Sequence, residues 1–291
     1  MTQGEPSDSG DPYFDRDGKP ALRRSFCVFM DVLGFSSHVA TSFAAGKGQE
    51  ALNRYYEVFT QQLKATFNRD AEGKFRSWDV KVFTDNIVLG YAFDSWHAEC
   101  EFASVARKVG VYQLLMALDN YFVRGAISVG DLFLDANTVF GPALLEAHNL
   151  ESTRARDPRV ILSPGVVDYV RMHIGFYCDA SYAPQTRFVL LDADGELFIH
   201  YLNYLTEPYD EVPAIDSEGL AQHKENILKN LELHRRSPKI WAKYQWVANY
   251  HDYFCEECRE YLGYHDDLAI DRAVLEIRPT RFVPLRGEQA P

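Results

Sequence analysis

A chain of 291 residues with 46% hydrophobic side chains is long enough to bury a full core, as one domain with an appendage or as two small ones. A formal net charge of −12 argues against duplex nucleic acid as a partner, because nothing supplies the counterion-release contribution, yet it leaves room for a local site that takes a metal–triphosphate complex. No signal peptide and no apolar run long enough to span a bilayer is found, so no membrane partner is expected; five cysteines scattered through apolar contexts read as reduced thiols of a cytoplasmic protein.

Residues 1–22 are polar and rich in Gly, Pro and Asp, the composition of a disordered tail. SFCVFMDVLGFS then reads as a buried strand ending at Asp31, with Gly34 permitting a tight turn and Phe35 starting a helix whose free N–H groups can cradle phosphate. ALNRYYEVFTQQLKATFN has apolar residues at helical spacing, and the polar turn DAEGKFRS leads into a strand pair around Asp85 in WDVKVFTDNIVLGY. EFASVARKVGVYQLLMALDNYF predicts a second long helix, VRGAISVGDLFLDANTVFG a strand pair, GPALLEAHNLESTRA a helix and VILSP a short strand. TRFVLLDADGELFIHYL predicts two strands around an Asp-Gly turn. From Ser217 the chain turns helical, through SEGLAQHKENILKNLELHRR and the Trp- and Tyr-rich PKIWAKYQWVANYHDYFCEECREYLG, which is expected to pack on the core or on a partner chain. The expected fold is α+β: a ferredoxin-like βαββαβ core over 23–205 and a C-terminal helical extension over 206–291.

The chemistry is carried by Asp31 and Asp85, acids at the ends of apolar strands. Such an acid is costly to bury unless a metal or a hydrogen-bond network takes its charge. Two on neighbouring strands make an oxygen-ligand site suited to Mg²⁺ or Mn²⁺, with a nucleoside triphosphate completing the shell. Either acid alone reads equally well as a helix cap or a turn residue; the metal reading rests on the two together. Lys81 lies four positions before Asp85 and, by strand alternation, on the same face. Arg124 fits a structural ion pair better than a phosphate contact. His251, Cys255 and Cys258 share one helical face and could bind zinc, but the aromatic residues around them favour a packed helix.

Phe29-x-Asp31-x-x-Gly34-Phe35-Ser36 resembles the first metal motif of the class III nucleotidyl cyclases. KVFTDNIVLGY resembles their second-aspartate hairpin, Val123 to Gly130 the next core strand, and FGPALLEAHNLEST with ILSPGVVDYV the helix and strand that follow, in matching order over about residues 23 to 205. The resemblance implies two Mg²⁺ or Mn²⁺ ions per site at Asp31, Val32 and Asp85, nucleotide contacts from Gly34 and Phe35, and Lys81 on the base. It also implies a homodimer in which metal residues and base-and-ribose residues come from opposite subunits. Thr138 stands where an aspartate reads the adenine amino group, Leu145 where an asparagine and Asn149 where an arginine stabilise the transition state. Arg154 and Arg156 are then the nearest substitute cations, and Arg187 stands in for a triphosphate-binding lysine of the late hairpin. MDVLGF, FTDNIVLG, RGAISVGD and FGPALLEAHNLES together resemble the bacterial Pycsar-type pyrimidine cyclases. That subgroup implies conversion of UTP to 3′,5′-cyclic UMP and pyrophosphate in antiphage defence, the product activating a separate effector. Production of cyclic CMP from CTP is the alternative, as is a degenerate cyclase fold that only binds nucleotide or dimerises.

Overall fold

The computed structural model describes residues 11–67, 79–207, 213–271 and 282–284. The apolar run that opens the core becomes β1 (Arg23–Val32), followed by α1 (Phe35–Ala44), α2 (Gly48–Phe67), the hairpin β2 (Asp79–Phe83) and β3 (Asn86–Ala92), α3 (Glu99–Leu118) and β4 (Val123–Leu134). β1 is buried almost throughout because it lies inside the sheet, antiparallel to β3 on one side and to β4 on the other; an inner strand covered on both faces needs apolar residues at odd and even positions alike. With β2 on the far side of β3, the order β4-β1-β3-β2 and its antiparallel pairings are those of a ferredoxin-like βαββαβ unit. The expected α+β ferredoxin-like core with a helical extension is the fold the chain adopts.

The chain continues through β5 (Val139–Phe140), α4 (Pro142–Thr153), β6 (Val160–Leu162), α5 (Pro164–Ile174) and α6 (Gln185–Phe188). β7 (Val189–Leu191), β8 (Leu197–Ile199) and the small pair β9 (Thr206–Glu207) and β10 (Ala214–Ile215) precede α7 (Ser217–Leu233), α8 (Pro238–Glu257) and β11 (Val283–Pro284). β6 runs parallel to β4 and extends the sheet through β8 and β7 to β11. Strand register divides the sheet cleanly. Val28, Met30, Ile87, Leu89 and Ile127 face one side, packed by Phe59 of α2, Phe102 and Val109 of α3 and Val166 of α5. Phe29, Val88, Ala126, Ile161 and Phe198 face the other, under α4 toward β1 and under α7 and α8 toward β6 and β8.

The extension therefore shares one apolar cluster with the sheet. Phe198 of β8 meets the rings of Trp246 and Tyr250 of α8, 5.5 and 5.6 Å away. The fully buried Arg159 ties both sides together, bonding Asp192 and Asp194 beneath the Trp246 ring while the Trp246 indole donates to Asp192 (2.7 Å). No helix among the described residues is long and apolar enough to cross a membrane.

The expected tail of residues 1–22 needs correction over its second half. Residues 1–10 lie outside the described residues, but Tyr13 is completely buried, its hydroxyl 3.0 Å from Ser25 Oγ, and Arg23 Nε donates to the Pro12 carbonyl. One aromatic anchor seated against Phe133 outweighs the polar composition around it.

Candidate active site

β1 ends where the site begins. Asp31 is the register partner of Asn86 in β3 and of Arg124 in β4, so it occupies the corner where three strands finish. Asp85 sits one residue before Asn86, in the two-residue turn between β2 and β3. Thr84, the other turn residue, holds φ at 57°, a left-handed conformation that costs a β-branched residue about 1–3 kcal/mol. The turn is pinned from outside: the Tyr55 hydroxyl of α2 donates to the Thr84 carbonyl at 3.0 Å, and Asn86 Nδ2 to Thr84 Oγ1 at 3.3 Å. The result brings the Asp85 carboxyl to the Asp31 carboxyl. Gly34, at φ 75°, turns the chain from Asp31 into α1, which starts with no side-chain cap on its N–H groups and no acidic residue in its first turn.

Burial, then a hydrogen bond with Asp85 and its like charge, push the Asp31 carboxyl up to about 7, against the pull of the Arg124 guanidinium. Arg124 bonds Asp31 Oδ2 at 3.1 Å and the buried Glu151 at 2.7 Å, so its role within the chain is the ion pair expected for it. Sequence reasoning missed Glu151 at the end of α4, although it falls on that helix's buried stripe, four residues after Ala147. It also missed Lys243 of α8, half-buried, on whose ammonium Arg124, Asp157, Asp31 and Glu151 all act.

The other expected residues divide between the two ends of the sheet. Lys81 pairs with Val88, which pairs with Phe29, so its side chain shares a sheet face with that of Asp31, with β3 in between. Thr138 lies beyond the far end of β4. The ten residue steps from Arg124 to Leu134 span about 33 Å of strand, so Thr138 does not reach the carboxylates of its own chain. It lines instead an open cleft of about 400 Å³ with Pro20, Leu22, Phe133 and Phe140. Phe29 is buried on the sheet, while Phe83 and Phe140 are exposed. Leu145 and Asn149, one turn apart on α4, are exposed on the stripe pointing away from the sheet.

Two substitute cations lie away from the carboxylates. Arg154 donates through Nε to Glu196 at 2.7 Å, and Arg187 stands exposed in α6, before the late hairpin rather than in it, with β4, β6 and β8 between its strand and β1. Arg156 is exposed just after α4. The packed-helix reading of His251, Cys255 and Cys258, preferred over zinc, agrees with the structure: His251 engages both ring nitrogens, with His223 at 3.0 Å and the Leu268 carbonyl at 2.9 Å, and Cys255 and Cys258 are buried thiols pushed up to about 12 by burial.

Among the described residues no group of three or more His, Cys, Asp or Glu side chains gathers to hold a metal ion. The two carboxylates are nonetheless a fit for a divalent cation. They are like charges held within hydrogen-bond reach, which a cation relieves, and Mg²⁺ ordinarily takes one or two carboxylates and completes its shell with phosphate oxygens and water. Valine offers only a backbone carbonyl, so Asp31, Asp85 and the Val32 carbonyl are the donors the chain can supply. A test follows from the raised Asp31 pKa. Unfolded, Asp31 titrates at about 3.9, so the pair costs the folded state stability as pH rises from about 4 to 7, and that cost stays in place above 7. A cation that displaces the shared proton recovers it. Mn²⁺ is expected to raise the melting temperature by several degrees more at pH 8 than at pH 5.5; equal shifts would contradict binding at this pair.

The sequence matches no family model and no curated protein. Among solved structures the chain is similar to a class III adenylyl cyclase-like ATP-binding protein from Pseudomonas aeruginosa, at 11% identity with a TM-score of 0.43, over 60% of this chain and 41% of that one. It is similar also to an adenylate/guanylate cyclase/hydrolase from Silicibacter pomeroyi, at 14% identity with a TM-score of 0.34, over 61% and 95% of the two chains.

Proposed function

We propose that this chain is a nucleotidyl cyclase, working as a homodimer, that converts UTP to 3′,5′-cyclic UMP and pyrophosphate. The observation that carries the reading is the Asp31–Asp85 carboxylate pair, set at a strand end beside Arg124 and in front of the uncapped start of α1. Mg²⁺ or Mn²⁺ bound at such a pair lowers the pKa of a nucleotide 3′-hydroxyl and neutralises charge on the phosphates. The chain's own residues do the rest. Asp31, Asp85 and the Val32 carbonyl would fix where the triphosphate sits, the N–H groups after Gly34 would receive its oxygens, and the ribose 3′-oxygen would attack the α-phosphorus in line, with pyrophosphate leaving.

Base selection is assigned to Lys81 of one subunit and the Thr138 cleft of the other. Uracil presents O4 as an acceptor, which the Lys81 ammonium can meet, whereas adenine and cytosine present an amine that Thr138 accepts less well than an aspartate does. The exposed apolar residues Leu22 and Phe140 that line this cleft (47 and 65% exposed) support a second copy lying across this end of the sheet. As in the Pycsar-type systems that the sequence resembles, the product would act as a messenger for a separate effector in antiphage defence. Equimolar UTP, CTP, ATP and GTP offered together with Mn²⁺, with products identified by mass, are expected to give predominantly cyclic UMP. Mostly cyclic CMP would overturn the base assignment, mostly cyclic AMP or GMP the pyrimidine reading, and no product at all the cyclase reading in favour of a nucleotide-binding module.

A further inference from the structure

The helical extension reaches the carboxylate corner. Tyr244 of α8 packs its ring on Phe122 at 5.4 Å, and the Phe122 carbonyl receives the N–H of Leu33 at 2.8 Å, so this contact lies at the joint where β1 ends and β4 begins. Two residues further along, Trp246 is bonded to Asp192, which fixes the rotation of the helix over the sheet. Lys243 directly precedes Tyr244 and is therefore held at the rim of the site, half-buried, within electrostatic reach of Arg124, Asp157, Asp31 and Glu151.

Its neighbours leave it a distinct part. The Arg124 guanidinium is already taken by Asp31 and Glu151, Arg154 by Glu196 and Arg159 by Asp192 and Asp194. Lys243 is in no ion pair among the described residues. A half-buried ammonium gives up part of its hydration and gains by meeting an anion. The acids on this side also repel a polyphosphate unless a cation stands between them and it. A lysine serves this purpose as a mobile point charge on a flexible stem.

We propose that Lys243 binds the β- and γ-phosphates of the triphosphate seated at Asp31 and Asp85 of its own chain, so that α8 completes the site in cis. The inference rests on the reading of the carboxylate pair as a metal–triphosphate site. Its test is equilibrium binding of inorganic tripolyphosphate with Mn²⁺, followed by calorimetry on the full-length protein. Lys243→Met keeps the aliphatic stem that packs on α8's surroundings and is expected to weaken binding at least tenfold, Lys243→Arg to restore most of it, and Lys64→Met, an exposed lysine on α2 across the sheet, to leave it unchanged. Should Lys243→Met fail to fold, Lys243→Gln gives the same comparison. Wild-type affinity in the folded Lys243 variant, or an equal loss in Lys64→Met, overturns the inference while leaving the carboxylate site standing. A wild-type protein that binds neither Mn²⁺–tripolyphosphate nor Mn²⁺–UTP overturns the site reading and this inference together.

Discussion

Asp31→Ala and Asp85→Ala are each expected to lower cyclisation by a thousandfold or more while the protein stays folded. A divalent cation is asked to supply several kcal/mol of charge stabilisation in phosphoryl transfer, and about 4 kcal/mol corresponds to that factor. Neither carboxylate is needed for packing. Asp85 stands on an external turn, and its like charge is among the causes that push the Asp31 carboxyl up, so its removal is expected to leave the melting temperature unchanged or higher in the absence of metal. Asp31→Ala frees Arg124 from one partner, but Glu151 remains at 2.7 Å, so no buried guanidinium is left without a counter-charge. Product mass spectrometry and thermal melting on the same samples check both halves. Full activity in either variant would sink the metal assignment.

The second large effect is all-or-none. Asp31 and Thr138 stand at opposite ends of a strand about 33 Å long, so one chain alone presents the carboxylates at one end and the cleft of Leu22, Phe133 and Phe140 at the other. A two-fold axis that lays two copies head to tail would bring each cleft to the partner's carboxylates, giving two identical composite sites. Asp31→Ala mixed with a chain disabled in the cleft, at Thr138 and Phe140, should therefore regain activity that neither has alone, since one of the two composite sites in each heterodimer contains no substitution. A monomer fully active at high dilution, or a mixture as inactive as its components, would refute the shared site.

The core was legible where one residue breaks a strong local pattern. Asp31 and Asp85 stand out because each breaks an apolar run, Asp31 at the end of β1 and Asp85 in the turn before β3, and the Gly34 turn and the alternation of strands and helices carry the βαββαβ order directly. Alternation fails at the turn, where Thr84 takes the left-handed conformation just before Asp85 and breaks the period-two link from Lys81 to Asp85; Lys81 is related to Asp31 instead by cross-strand register. Glu151 and Lys243 come to the corner from positions 120 and 212 residues after Asp31. Each lies on the inward stripe of its helix, Lys243 four residues before the buried Val247, which signals a charged residue turned toward the core. The pattern does not say which part of the core it meets. Tyr13 was hidden for another reason: composition averages a segment, and one ring suffices to dock it.

The shared cluster between sheet and extension bears on how such a chain can change over evolutionary time. Phe198, Ile161 and Ala126 belong to the strands of the core yet depend on Leu220, Val247 and Tyr250 for cover. A sheet built this way cannot be passed between proteins as a cassette ending at Leu205, because the donor would leave an uncovered apolar face and the recipient would gain one. Recombination that preserves solubility must carry α7 and α8 along, so the two segments are bound to diverge as one inheritance, substitutions on the sheet answered by substitutions on the helices.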